Sequence, residues 1–303
     1  MKVGVFLEIG DEGRGVASYD EIRSFAQQAE AAGLDSLWVY DHLLYRLGDE
    51  TTGIHECWTI LSALAEATER IELGTMVMCT SFRNPALLAK MAATLDEVSG
   101  GRLILGLGSG WHDPEYLAFG YPTDRKVSRF AEALEVIASL LRTGRADLDG
   151  RFVTVRDAVL APPATRAVPI LVAARQPRML ELTARYADAW NVAWHAEPDE
   201  RMAAARDALR AACERVGRDA ASIVVTAGIT VRYPGAASTD TPPALTGSPA
   251  DVARGLAAHA AFGVDHATVV LEPLTPATLG EFVEAVALFR GEAGPAEPAT
   301  TDS

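Results

Sequence analysis

Gly106-x-Gly108-x-Gly110 closes a short apolar run that begins at Arg102, and Trp111 and His112 follow it. Alternating glycines where a buried strand stops expose backbone N–H groups. Such an edge can accept a flat, phosphorylated ligand. The spacing differs from the dinucleotide fingerprint, whose third glycine comes later. Gly108-Ser109-Gly110 is too short for a nucleophile elbow, and H-E-x-x-H is absent. The six histidines are scattered, so no metal site is expected.

The formal net charge of −14 argues against nucleic acid or an anionic membrane as partner. Cys57, Cys79 and Cys213 are scattered and odd in number, which disfavours a disulfide framework and fits a reducing cytoplasm. Met1–Glu8 reads as a strand rather than a signal peptide, and no apolar run is long enough to span a membrane. At 303 residues and 49% hydrophobic content, the chain can build one large core.

The elements that must position the chemistry alternate strand and helix. Apolar runs predict strands over 3–9, 35–40, 70–79, 102–111, 169–174, 189–194, 223–231 and 266–271. Ser18 with Glu21 and Ser248 with Asp251 mark capped helix starts. Phe152, Val153 and Val155 suggest a short extra hairpin over 150–159. Eight strand–helix units predict a (β/α)₈ TIM barrel over residues 1–291, with a doubly wound open sheet as the competing layout. The Pro/Ser/Thr/Gly-rich stretch 233–247 is expected to be a mobile lid loop, and 292–303 a disordered tail.

In a barrel the chemistry gathers at the C-terminal strand ends. That places Glu8, Asp41, His42, Met76 to Cys79, Ser109 to His112, Arg175, Gln176, Trp194, His195, Arg232 and Glu272 around one mouth. Its aromatic and apolar character suits a planar organic cofactor. A close carboxylate pair for glycoside hydrolysis is lacking. On chemistry alone His42 is either a structural hydrogen-bonder or a proton-transfer group, and Asp41 either caps a turn or meets the ligand.

Glu56-Cys57-Trp58-Thr59, Ile71–Val77, Arg83–Lys90, Ala93–Arg102 and Leu105–Trp111 together resemble the bacterial luciferase-like superfamily. The pattern is most similar to its coenzyme F420-dependent branch. The resemblance implies a luciferase-like barrel holding F420 or FMN in its mouth. It implies Asp41 and His42 beside the ring, with His42 as the catalytic proton donor or acceptor. It also implies a bulge at Met76-Val77, often with a non-prolyl cis peptide, behind the ring. Gly108, Ser109 and Gly110 would line the cofactor. Ala174, Arg175 and Gln176 would meet phosphate at a helix N-terminus, although this chain has Ala173-Ala174 where relatives are glycine-rich. Trp111, Glu56 and Trp194 are assigned to the substrate pocket. For Glu56 a favourable charge at a helix start is the alternative.

The leading expectation is F420-dependent hydride transfer to or from a small organic substrate. The alternative is an FMN-dependent monooxygenase fed by a partner reductase. A non-catalytic flavin- or metabolite-binding barrel is the third reading. A homodimer is expected from kinship.

Overall fold

A computed structural model describes residues 1–11, 15–48, 50–192, 194–236 and 243–291. The expected disordered tail, 292–303, and the centre of the expected lid, 237–242, lie outside the described residues. Eight parallel strands form the barrel: β1 (Lys2–Phe6), β2 (Ser36–Val39), β3 (Glu72–Thr75), β4 (Leu103–Gly108), β5 (Ile170–Ala173), β6 (Ala189–Val192), β7 (Val224–Arg232) and β8 (His266–Glu272). Each pairs with the next, β8 pairs with β1, and the β4–β5 register Ile170↔Leu105 completes the ring. An open doubly wound sheet is thereby excluded.

Helices α1 (Tyr19–Ala31), α2 (Cys57–Ala67), α3 (Pro85–Val98), α4 (Asp113–Phe119), α5 (Lys126–Thr143), α6 (Pro177–Tyr186), α7 (Glu200–Val216), α8 (Pro249–Phe262) and α9 (Pro276–Arg290) complete the order. The expected capping boxes of α1 and α8 are both present, Ser18 with Glu21 and Ser248 with Asp251. They satisfy amide donors that would otherwise be orphaned at the helix start.

The apolar run read as one strand over 70–79 is interrupted where the resemblance implied a bulge: β3 stops at Thr75, the Met76-Val77 peptide is cis as expected, and pairing to β4 resumes at Met78↔Leu107. The extra hairpin expected over 150–159 needs correction, because it begins earlier, with strands Arg145–Asp149 and Thr154–Val159. Phe152 and Val153 fall in its turn.

Of the lid stretch, the described ends are tied to β7. Leu245 donates its N–H to Thr230 O at 2.8 Å and accepts from Arg232 N at 2.8 Å. Its buried side chain lies over Gly255 of α8.

Strand spacing alone leaves room inside the barrel, and one indole takes much of it. Trp38 is fully buried, and a Cβ on Gly74 would run into its ring. Its Nε1 donates to Ser36 Oγ at 2.7 Å, and that hydroxyl meets His266 Nε2 at 2.7 Å. The Ser36 hydroxyl thereby links the buried indole to the His266 ring across the barrel. Burial then pushes the His266 imidazole down to about 4.

The folded protein thus keeps His266 neutral where an unfolded chain would protonate it. Its contribution to stability is full above about pH 6.5 and is lost as pH falls from there to about 4, a loss of about 3 kcal/mol. Urea midpoints measured across that window should fall for the natural chain and fall less for His266→Gln. An equal fall in both would remove His266 as the cause.

Candidate active site

The C-terminal ends of the strands form an apolar bowl. Phe6, Tyr40, Trp194 and Val270 surround a small cavity of about 90 Å³. Through Leu7, Glu8 and Leu274 it adjoins a cleft of about 530 Å³ between α1 and the start of α9. Phe6 and Trp194 approach with ring centroids 5.6 Å apart. Met76, Val77 and Ile104 pack into the same interior cluster.

Asp41 and His42 leave β2 in different directions. Asp41 is only 4% exposed, and its carboxylate is fully engaged. Arg83 grips it with two N–H groups, at 2.6 and 3.1 Å, and the Cys79 N–H adds a third bond at 2.9 Å. Burial raises the Asp41 carboxyl above its ordinary value, against the pull of Arg83 and of the Cys79 amide.

Arg83 also bonds Glu56. Glu56 is the N-cap of α2, accepting from Thr59 N at 2.7 Å and Trp58 N at 3.2 Å. Asp41 and Glu56 therefore work through one arginine. They tie the end of β2, the resumed strand at Cys79 and the start of α2 into one unit.

His42 is held by a residue that sequence reasoning missed. Its Nδ1 lies 3.0 Å from Glu115 Oε1, and Glu115 Oε2 accepts from Leu43 N at 2.8 Å. Tyr45 packs 4.4 Å from the His42 ring, with Trp111 edge-on at 5.6 Å. Trp111 itself is 65% exposed. Behind it the buried His112 accepts the Arg46 N–H at Nε2, 3.1 Å away. The only sequence signal for Glu115 is an acid in the first turn of a Pro-started helix, which reads as a dipole partner.

The glycines of β4 face the broken strand. A Cβ on Gly106 would strike Thr75 O, one on Gly108 would strike Val77, and one on Gly110 would strike the Tyr116 hydroxyl. Tyr116, also missed from sequence, donates to Ser109 O at 2.9 Å and lies 2.9 Å from Cys79 Sγ. Burial pushes the Cys79 thiol up to about 11, so at neutral pH it is a packed thiol and no nucleophile.

Next to β4, strand β5 leads into Ala174, Arg175 and Gln176. Ala174 is buried and its carbonyl accepts from Trp190 Nε1 at 2.8 Å. Arg175 and Gln176 are exposed. Gln176 is the N-cap of α6 without a side-chain bond to the first turn, and Pro177 follows. The helix therefore presents uncapped amides beside Arg175. On the next strand end, burial lowers the His195 pKa although Asp199 stands 3.3 Å away.

So the structure gathers Asp41, His42, Glu56 and Trp111 on one side of the mouth and sets Trp194 in the bowl. Ser109, Gly110 and Ala174–Gln176 sit at neighbouring strand ends. Among the described residues no group of three His, Cys, Asp or Glu could hold a metal ion. Among them, too, no helix is long and apolar enough to cross a membrane.

Replacing Arg83 by Met should strand the buried Asp41 charge and cost about 3–5 kcal/mol. Adding Asp41→Asn to that variant should recover part of the loss. Additive losses in chemical denaturation would show that the two residues do not act as a pair.

The family model described as luciferase-like monooxygenase matches residues 1–234. Pyrimidine monooxygenase RutA of Methylorubrum extorquens is 33% identical over 203 residues, covering 62% of this chain and 56% of the relative. The chain thus spans less than two thirds of that relative's length. Among solved structures, an F420-dependent secondary alcohol dehydrogenase in complex with an F420-acetone adduct is similar, with a TM-score of 0.79 and 17% identity. The match covers 95% of this chain and 99% of that one. The monooxygenase RslO1 from Streptomyces bottropensis gives a TM-score of 0.77 at 20% identity, covering 96% of this chain and all of the other.

Proposed function

The chain belongs to the luciferase-like monooxygenase family, and from that premise we propose that it is an oxidoreductase holding FMN in the barrel mouth and acting as a monooxygenase. The observation that carries the choice of FMN is how the nearby cations are used. Arg83 is bound to Asp41 and Glu56, Arg232 is paired with Glu272 at 2.9 Å, and Lys126 is paired with Asp113. Arg178 donates to Ser128 Oγ at 3.0 Å. Arg175, at the uncapped start of α6, supplies one phosphate site. One such site suits the single phosphate of FMN. The polyanionic tail of F420 asks for more positive charge.

The second reading, F420-dependent hydride transfer, is favoured by the match to an F420 enzyme over nearly the whole chain. Both readings use the same bowl. Phe6, Tyr40 and Trp194 offer it aromatic faces at the strand ends, and Val77 lies against Gly108.

When bound, reduced FMN supplies the electrons for activating dioxygen, and a partner reductase would supply the reduced form. The chain's own residues do the rest. The α6 amides and Arg175 hold phosphate. The aromatic bowl excludes water and orients the ring. His42 takes and returns a proton at Nε2, the nitrogen that Glu115 does not use. Tyr45 and Trp111, flanking His42, suit a small planar organic substrate. The name of the pyrimidine-oxidising relative points the same way.

Fluorescence titration with FMN and with F420 tests the cofactor. FMN should bind the more tightly. Arg175→Ala should weaken FMN about tenfold while leaving riboflavin, which lacks the phosphate, unchanged. Tight F420 binding without FMN binding would select the second reading. Binding of neither would leave a barrel that serves another metabolite. His42→Ala should slow single-turnover oxidation by roughly 10²-fold or more, and an unchanged rate would remove His42 from the chemistry.

A further inference from the structure

The mouth contains a carboxylate whose only described hydrogen bonds concern one histidine and the residue after it. Glu115 is 1% exposed, on the first turn of α4, and it reaches across 73 residues of sequence to His42. A buried carboxylate is an acceptor at both oxygens and costs free energy at any oxygen left without a donor. Oε2 is taken by the Leu43 amide at 2.8 Å, and a backbone N–H cannot reverse its polarity. Oε1 faces His42 Nδ1 at 3.0 Å. A neutral imidazole has a single N–H. The carboxylate draws that proton to Nδ1 and leaves Nε2 with its lone pair.

We propose that Glu115 is the positioning residue of the mouth, holding the His42 ring as the Nδ1–H tautomer so that Nε2 faces its task as a base. Tyr45 at 4.4 Å and Trp111 at 5.6 Å limit how the ring can turn, and Glu115 decides which nitrogen works. When Nε2 takes a proton, the imidazolium that forms lies against the Glu115 carboxylate. When the proton leaves, the starting tautomer returns. No bond of the histidine other than N–H changes. The catalytic consequence rests on the reading of His42 given above; the tautomer does not.

Glu115→Gln is the discriminating substitution because it is isosteric. Leu43 N–H still claims the amide oxygen, so the amide NH₂ turns toward Nδ1. Nδ1 must then accept, and the proton moves to Nε2. The base has lost its lone pair while the fold is kept. A carboxylate-to-amide change that imposes the wrong tautomer in a catalytic triad lowers kcat by about 10⁴-fold, and general-base effects span roughly 10²–10⁴-fold. The single-turnover rate of the FMN-loaded Glu115→Gln variant should fall within that range.

The direct readout is the ¹⁵N NMR spectrum of the full chain labelled at histidine, recorded above the pH at which histidines titrate. The His42 signals are identified by their loss in His42→Ala. In the natural protein Nδ1 should be pyrrole-type and Nε2 pyridine-type, and in Glu115→Gln the two should exchange. A pyrrole-type Nε2 in the natural protein would overturn the proposal, as would an unchanged tautomer in the folded variant. The first measurement needs no variant at position 115, so it decides even if Glu115→Gln fails to fold. An exchanged tautomer with an unchanged rate would show that Glu115 orients an idle histidine and would overturn its positioning role. Failure to bind FMN or F420 would sink the cofactor reading and leave the tautomer result standing.

Discussion

The mouth depends on one reciprocal contact between β3 and β4. Thr75 Oγ1 donates to Gly106 O at 2.8 Å and accepts from Gly106 N at 2.9 Å. A side-chain hydroxyl thereby satisfies both backbone groups where the strand ladder is interrupted, which buried backbone demands. The approach is so close that only glycine fits opposite Thr75. Beyond this contact β3 kinks through Met76 and Val77, and the chain rejoins β4 at Met78 and Cys79. Gly108 and Gly110 extend the same requirement outward, against Val77 and Tyr116. The glycine series is first a way to pack a broken strand.

Where the kinked strand resumes, the Cys79 amide is free to donate to Asp41. The mouth's polar groups then fall into two sets. Arg83 joins the buried Asp41 to the exposed Glu56, and the buried Glu115 with His42 forms a second pair. Each buried charge has a partner, as the cost of desolvation requires. The first set joins segments far apart in sequence. Disturbing its arginine therefore loosens a helix start, a strand end and a strand restart together.

The architecture was legible because its signals are local. Apolar runs, capping boxes and the count of eight strand–helix units all act over a few residues, and the barrel follows from their order. Membership of the family was legible from motifs around α2, α3 and β4. Much of the site was not. Asp41 and His42 are adjacent in sequence and look like one device, yet their side chains serve different partners. Arg83 and Glu115 lie 42 and 73 residues from the groups they hold, and neither the motif that begins at Arg83 nor the helix start at Glu115 names the partner. The direction in which each β4 glycine lacks a side chain depends on the kink in β3, which no apolar count reveals. Apolar residues on both sides of the break in 70–79 hide it from periodicity, and only the motif resemblance pointed to Met76-Val77.

The ion pairs at the mouth have a kinetic side. The chain carries a net charge of −14, and Arg83, Arg232 and Lys126 spend their charge on neighbouring carboxylates. On the proposed reading, a phosphorylated molecule would diffuse toward the mouth against a repulsive field and meet attraction only in the last few ångströms, at Arg175 and the start of α6. Added salt shortens the reach of that field to about 10 Å at 0.1 M ionic strength. Capture of an anionic ligand then becomes faster as the solution becomes saltier, the reverse of electrostatic steering toward an oppositely charged site.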